Sequence, residues 1–130
     1  MNIRLTIAAL AALALPGCVT TPDGSTALNW HKIDIAGDEI ISMIDGQIIA
    51  WAHRPEVVED LLAIRELVRV ADDAVGAIIE GGGGVADLDS ALVAAAALID
   101  TLAAETDDPD MRAVYSTLRA ALGAIRVGIA

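Results

Sequence analysis

The sequence contains no phenylalanine, two tryptophans, one tyrosine and a single cysteine. Aromatic residues make up only 2% of the chain while hydrophobic residues make up 55%, so a folded core has to be built from Ala, Leu, Ile and Val. A lone cysteine cannot form a disulfide within the chain, and a small domain without disulfides needs a substantial apolar core. We therefore expect a fold stabilised by aliphatic side chains.

Basic residues are also scarce. Eight Lys and Arg residues stand against nineteen Asp and Glu residues, which gives a formal net charge of −11. A surface this negative repels phosphate groups, so binding to nucleic acid and adhesion to anionic lipid head groups are both disfavoured. The apolar stretch between Asp89 and Asp100 has ten residues, including Ser90, and is far shorter than the roughly 20 residues that span a bilayer.

The N-terminal segment has the layout of a secretory leader. Arg4 supplies a positive charge, and residues 5–15 are apolar except for Thr6. These eleven residues suit the apolar region of a signal peptide and fall short of the roughly 20 needed to cross a membrane. The segment that follows contains the only cysteine of the chain, in the order Leu15-Pro16-Gly17-Cys18.

This segment resembles the lipobox of bacterial prolipoproteins, with Pro16 in place of the usual Ala or Ser. The resemblance implies cleavage between Gly17 and Cys18 and attachment of a diacylglyceryl group to Cys18. It also implies acylation of the freed amine, for example by palmitate. Val19 is not the Asp that retains many such proteins in the inner membrane. The resemblance therefore predicts a protein of the cell envelope, anchored by lipid, with the periplasmic face of the outer membrane favoured over the inner membrane.

With this leader the chain divides into three parts: a signal peptide (1–17), the lipidated cysteine with a flexible tether (18–28), and a helical domain (29–130). The tether is rich in Thr, Pro, Asp, Gly and Ser, which favour turns. Removal of the leader takes away Arg4 and leaves seven basic against nineteen acidic residues, a net charge of −12. The body is thus even more acidic than the whole chain.

Hydrophobic periodicity predicts a first and a second helix within that domain. Asn29 suits the N-cap of the first helix, and Pro55 suits both the end of that helix and the first position of the next. Residues 81–84 are four glycines, which should end the second helix. The apolar residues of the second helix alternate steps of four and three, as in a heptad seam. They are Val57, Leu61, Ile64, Val68, Ala71, Val75 and Ile78.

The remainder predicts a third and a fourth helix. Asp87 is expected to cap the third, and Asp108 to cap the fourth ahead of Pro109. Strand patterns are weak throughout. The predicted fold class is all-α, a small antiparallel bundle of three to four helices, and a three-helix core with the first helix lying apart is the alternative. Trp30 and Trp51 are expected to fill the bundle ends, or, for Trp30, to rest at the membrane interface.

No motif indicates catalysis, a metal site or a cofactor, and we expect none of the three. His31 and His53 fall near opposite ends of the first helix without further ligands, and are interpreted as surface residues. The tetraglycine lacks the Lys-Ser/Thr of a phosphate loop. Two acidic groups lack the other positions of a calcium loop, so helix capping is the preferred explanation for them. These are Asp87 with Asp89, and Asp107 with Asp108 and Asp110.

Three arginines recur every seven residues along the fourth helix, and we name Arg112, Arg119 and Arg126 the arginine stripe. An acidic ladder with the same spacing lies on the second helix. In an up-and-down bundle these two helices are diagonal, so the stripe and the ladder could meet only between molecules. The stripe is therefore predicted to bind a second copy of the chain or an acidic protein partner. The ladder consists of Glu59, Glu66, Asp73 and Glu80.

The function predicted from these features is that of a lipid-anchored envelope lipoprotein. Its body would be a non-enzymatic structural or protein-interaction module. One alternative is a periplasmic carrier of a lipid or small apolar ligand, since aliphatic helices joined by a glycine hinge could open a groove. Another is a lipoprotein of phage or prophage origin that modifies the envelope.

Overall fold

The computed structural model describes residues 18–20 and 26–129, in which a short two-stranded ribbon precedes four helices. The strands are β1 (Cys18–Thr20) and β2 (Thr26–Leu28). The helices are α1 (Trp30–Ala50), α2 (Pro55–Ile79), α3 (Val85–Glu105) and α4 (Pro109–Ile129). The predicted all-α bundle is confirmed, and the described helices all lack the combination of length and apolar character that a membrane span requires.

The ribbon lies in the segment that was expected to be a tether without strands. It is antiparallel, with Cys18 opposite Leu28 and Thr20 opposite Thr26. Two strands of three residues each are too short for an alternating apolar pattern to reveal them in the sequence. The predicted signal peptide lies outside the described residues.

The ends of α1 and the start of α2 follow local sequence rules. Asn29 has extended backbone angles, and its side chain accepts a hydrogen bond from the backbone N–H of Lys32 at 3.2 Å, as an N-cap should. Pro55 is the first residue of α2, where its missing N–H leaves no intrahelical hydrogen bond unmade. Both predictions are confirmed.

The glycine segment ends α2 through a Schellman motif. Gly81 has φ = +85°, a left-handed conformation that glycine adopts without the strain a Cβ would bring. The N–H of Gly82 donates to the carbonyl of Ala77 at 2.9 Å, and that of Gly81 to Ile78 at 3.0 Å. The motif satisfies carbonyls that the last turn would otherwise leave unpaired, and it reverses the chain toward α3.

One predicted cap is wrong and the other is confirmed. The third helix begins at Val85 with Gly84 as its N-cap, so Asp87 lies inside the first turn and does not cap it. Its carboxylate still lies near the positive end of the helix dipole. At the fourth helix, the Asp108 side chain accepts hydrogen bonds from the N–H groups of Asp110 and Met111 at 2.8 and 3.4 Å.

Each helix packs against the next one in the sequence, and α1 contacts α4 to a lesser extent. Short connections between neighbouring helices make the arrangement antiparallel. Because α1 contributes to the same core as the other helices, the alternative with the first helix lying apart is excluded. All the predicted seam residues of α2 are buried except Ile78, which is half-buried. The largest side chains of the core include Ile33, Ile40, Ile44, Leu61, Ile64, Leu88, Leu92, Ile99, Leu118 and Leu122.

Candidate functional site

The predicted lipid acceptor, Cys18, is the first residue of β1, where its backbone pairs with Leu28. Gly17, the residue before the predicted cleavage, lies outside the described residues. The body begins at Trp30, which is half-buried and packs against the core. The geometry therefore joins a predicted anchor to a bundle that starts twelve residues later.

The arginine stripe is engaged within the molecule. Nε of Arg119 lies 3.1 Å from a carboxylate oxygen of Asp100, and Nε of Arg126 lies 2.8 Å from one of Asp89. Both acids belong to α3, so the stripe has partners within the molecule on a helix other than α2, which carries the ladder. Arg112 donates to the backbone carbonyl of Thr106 at 3.1 Å. A partner that used the stripe would have to compete with these contacts.

The acidic ladder is exposed along α2, as expected. Two of its members, Glu66 and Asp73, form ion pairs with Arg69 of the same helix. Among the helices described, α2 and α4 are not neighbours, which agrees with the diagonal placement that the sequence analysis assumed. Stripe and ladder are therefore separate surfaces of one molecule, each with local partners of its own.

The bundle end between α1 and α2 gathers the second histidine and an aromatic ring. His53 stacks on Trp51 with ring centroids 6.0 Å apart, and the Arg54 guanidinium lies 5.6 Å from the centroid of the Trp51 ring. Arg54 also pairs with Asp108 at 3.0 Å and so ties the start of α2 to the start of α4. Both His31 and His53 are exposed, in agreement with their prediction as surface residues. These contacts stabilise the end of the bundle and account for the positions of Trp51, His53 and Arg54.

A small polar pocket of about 240 Å³ opens beside this end, between α2, α3 and α4. Asp60 and Glu105 line it together with Tyr115. Burial, followed by the negative charges of Glu59 and Glu105, raises the pKa of Asp60. Burial also raises the pKa of the Tyr115 hydroxyl to about 12, so the hydroxyl stays protonated at neutral pH. The pocket is thus lined by acidic side chains and one aromatic ring.

Three aspartates that no sequence pattern singled out lie together between α1 and α2. Asp34 and Asp38 of α1 face Asp72 of α2, and one carboxylate oxygen from each lies within 4.8 Å of the other two. We name these three residues the carboxylate cluster. Asp38 is exposed, whereas Asp34 and Asp72 are half-buried. The cluster therefore spans the interface between two helices, with Asp72 on its inner side.

Asp72 reaches inward because Gly37 leaves room for it. A Cβ on Gly37 would lie 2.7 Å from Oδ1 of Asp72, closer than carbon and oxygen atoms ordinarily approach. Oδ1 is buried and has no hydrogen-bond donor within reach. It borders a cavity of about 10 Å³ whose walls are otherwise apolar. That volume is at the lower limit for a single water molecule.

The environment of Asp72 favours its protonated form. Desolvation, then hydrogen bonding to Asp34 and Asp38, then their negative charges raise the pKa of Asp72 to about 8. Ionised carboxylates can only accept hydrogen bonds, so three of them cannot bond to one another. A proton on Asp72 turns it into a donor toward Asp34 or Asp38, which resolves the unsatisfied state of the ionised form.

Three chemical roles come into question for such a cluster: general acid or base, cation site, or store of a proton. The cavity beside Asp72 measures about 10 Å³, whereas small-molecule sites usually measure about 300–1,000 Å³. A substrate therefore has no space next to the buried oxygen. Ca²⁺ takes six to eight oxygen ligands, and acidic side chains often lie this close without a cation. The small cavity and the raised pKa of Asp72, about 8, favour a proton as the occupant of the cluster.

A sequence signal for the cluster did exist. Asp34 and Asp38 are four residues apart, a spacing at which like charges on a helix repel. Gly37 interrupts the apolar seam between them, and Asp72 directly follows the seam residue Ala71. Only the register of α1 against α2 brings the three carboxyl groups together, and that register cannot be read from either helix alone.

No protein-family model, no curated protein and no solved structure matches this chain.

Proposed function

We propose that this chain is a lipid-anchored protein of the bacterial cell envelope, attached through Cys18, whose four-helix body is a non-catalytic interaction module. The observation that supports this proposal is the order of its N-terminal features. The chain starts with a positive charge at Arg4 and continues with eleven largely apolar residues. These lead directly into the segment Leu15-Pro16-Gly17-Cys18. Two or three acyl chains, at about 0.8 kcal/mol per buried CH₂, would hold the body at the membrane.

The short distance between anchor and body supports a role close to the bilayer. Trp30, the first residue of α1, follows Cys18 by only twelve residues. Part of this segment pairs as β1 with β2, which shortens its reach further. A partner of the body would then have to lie in or near the same membrane.

The core favours an interaction module over a lipid carrier. The cavity enclosed by the four helices is about 10 Å³ and lies among tightly packed aliphatic side chains such as Ile40, Leu88 and Leu122. An acyl chain would need a site many times larger, so it could enter the core only if the helices separated.

For the partner we propose a second copy of the chain or an acidic protein, bound through Arg112, Arg119 and Arg126. The three side chains keep between 42% and 57% of their surface exposed despite their intramolecular contacts. Tethering to one membrane raises the effective concentration of copies. Even weak ion pairs between the stripe and a neighbour's carboxylates, formed in place of those with Asp89 and Asp100, would then contribute to association. No nucleic acid is proposed, because the body is strongly acidic.

Metabolic labelling tests the anchor. Cells that express the full chain are supplied with an alkyne analogue of palmitate, and the isolated protein is examined for the label. We expect label on the wild type and none on Cys18→Ala, and equal labelling of the two would refute the anchor. Val19→Asp serves as a sorting variant: it should carry the same label but move from the outer to the inner membrane fraction.

Co-precipitation of two differently tagged copies from solubilised membranes tests the partner. We expect recovery of the second tag to fall as salt rises, because exposed charges are screened over about 10 Å at 0.1 M ionic strength. Reversal of all three stripe arginines to Glu should abolish recovery, and simultaneous reversal of the ladder should restore it. Failure of the wild type to recover a second copy at any salt concentration would leave only the separate acidic partner.

A further inference from the structure

The carboxylate cluster carries an inference about how the fold responds to pH. Its three members come from two helices, and one oxygen of the inner member, Oδ1 of Asp72, is buried and has no hydrogen-bond partner. A Cβ at Gly37 would lie 2.7 Å from Oδ1, so a larger residue there would force the Asp72 side chain to shift. The cluster therefore lies across the α1–α2 interface and includes one buried carboxylate oxygen.

Few charged groups face Asp72. On α1, the facing titratable groups are Asp34 and Asp38. On its own helix, Arg69 is engaged by Glu66 and Asp73. The residues of α3 and α4 that share the cavity with Asp72 are apolar: Leu88, Leu92, Leu122 and Ile125. None of these neighbours in α3 and α4 can compensate a negative charge on Asp72.

We propose that the carboxylate cluster is a proton-dependent contact between α1 and α2. A proton on Asp72 is donated to Asp34 or Asp38 and joins the two helices. Its loss places three negative charges against one another across the interface. The protonated cluster stabilises the closed helix pair, and the ionised cluster weakens it.

The direction of the pH dependence follows from linkage. An aspartate in an unfolded chain has its ordinary pKa of 3.8, whereas folding raises the pKa of Asp72 to about 8. Between these values the folded state holds one more proton than the unfolded state. The contribution of the contact is therefore complete below about pH 4, declines as pH rises, and is lost above about pH 8. One proton corresponds to a tenfold change in the folding equilibrium constant for each pH unit.

Urea denaturation tests the proposal. The protein is the full chain with the substitution Cys18→Ser, kept in a non-ionic detergent. Far-ultraviolet circular dichroism at about pH 5, 6, 7 and 8 gives the folding equilibrium constant of each variant. Asp72→Asn replaces the protonated acid by a neutral side chain of the same shape, and Asp73→Asn is the matched control on the exposed face. We expect the ratio of wild type to Asp72→Asn to fall at least tenfold from pH 5 to pH 8, with no such fall against Asp73→Asn.

Two further measurements test the proposal, and the first of them does not need Asp72→Asn to fold. Carbon-13 carboxyl titration of the wild type should place the Asp72 transition above pH 7, and a transition near pH 4 would overturn the proposal. Millimolar Mg²⁺ or Ca²⁺ should leave the wild type unchanged at pH 8. Stabilisation of the wild type by either cation, absent in Asp72→Asn, would show that a cation occupies the cluster and would also overturn it. The lipid anchor is independent of each of these results.

Discussion

The α3–α4 and α1–α2 interfaces bury similar aliphatic seams but differ in the charges along their edges. At the α3–α4 edge, Arg119 meets Asp100 and Arg126 meets Asp89. At the α1–α2 edge, Asp45 pairs with Arg65 at 2.7 Å near one end, while the carboxylate cluster sets acid against acid near the other. The first interface is complementary along its length, and the second is complementary only in part.

The difference shows that the same helix-pairing geometry can tolerate opposite and like charges. Exposed ion pairs contribute little, so the α3–α4 edge is a modest gain on top of an apolar core. At the α1–α2 edge, burial raises the pKa of Asp72 to about 8. A protonated Asp72 avoids the free-energy cost of an unpaired charge in this position. We therefore expect the α1–α2 interface to respond to pH near neutrality through Asp72.

The largest effect is expected from a charge placed in the core that both interfaces share. Leu61 of α2 is fully buried, so Leu61→Asp should cost at least about 4 kcal/mol and unfold most of the protein. Leu62→Asp is the matched control, because Leu62 is 51% exposed and should cost far less. Circular dichroism melts of both variants check this, and a folded Leu61→Asp protein would contradict the assigned core.

A smaller effect is expected from a substitution at the close contact between Gly37 and Asp72 in the α1–α2 interface. Overpacking usually costs about 1–3 kcal/mol, and the better helix propensity of Ala offsets up to about 1 kcal/mol of it. Gly37→Ala should therefore destabilise the protein by roughly 1 kcal/mol. Gly46→Ala, where a Cβ meets open space, should instead stabilise it.

The contact with Asp72 predicts a specific coupling for the same variant. In an Asp72→Ala background, Gly37→Ala should become stabilising like Gly46→Ala, because the atom that a Cβ would meet is gone. Urea denaturation of the four proteins in the double-mutant cycle measures this coupling. Additive effects would show that Gly37 is needed for some reason other than Asp72.

The edge charges should respond with opposite signs at the two interfaces. Arg119→Gln removes an attractive pair and should destabilise by about 0.2–1 kcal/mol. Asp38→Asn removes a repulsive charge and should stabilise at about pH 8.5, where the cluster is ionised. Thermal melts at low ionic strength compare the two variants, and equal signs would refute the contrast between the interfaces.

The smallest effect is expected on the outer face of α2. Glu59 is exposed and belongs to neither interface, so Glu59→Ala should change the free energy of unfolding by no more than about 0.5 kcal/mol. Denaturant titration measures it beside the variants above. A larger loss would mean that the acidic ladder contributes to the fold in a way that its exposure does not indicate.

Much of the fold follows from local sequence patterns. The heptad seam of α2, the Asn29 and Asp108 caps, Pro55 and the glycine terminator each act over a few residues, so their effects can be read directly from the chain. The Asp87 cap was predicted wrongly because α3 starts three residues earlier than that cap implies, at Val85, with Gly84 as its N-cap. The lipid-attachment prediction also depends on local sequence alone, and labelling is its test.

The sequence by itself determined an acidic, aliphatic, four-helix chain, because composition, helical periodicity and capping are properties of short segments. Tertiary structure alone decided which charges meet. It paired Arg119 and Arg126 with α3 and brought Asp34, Asp38 and Asp72 within 4.8 Å of one another. The physical reason is that the axial register between two helices is set by side-chain packing along the whole interface. A shift of one turn would separate the carboxylates while leaving every helical pattern in the sequence unchanged.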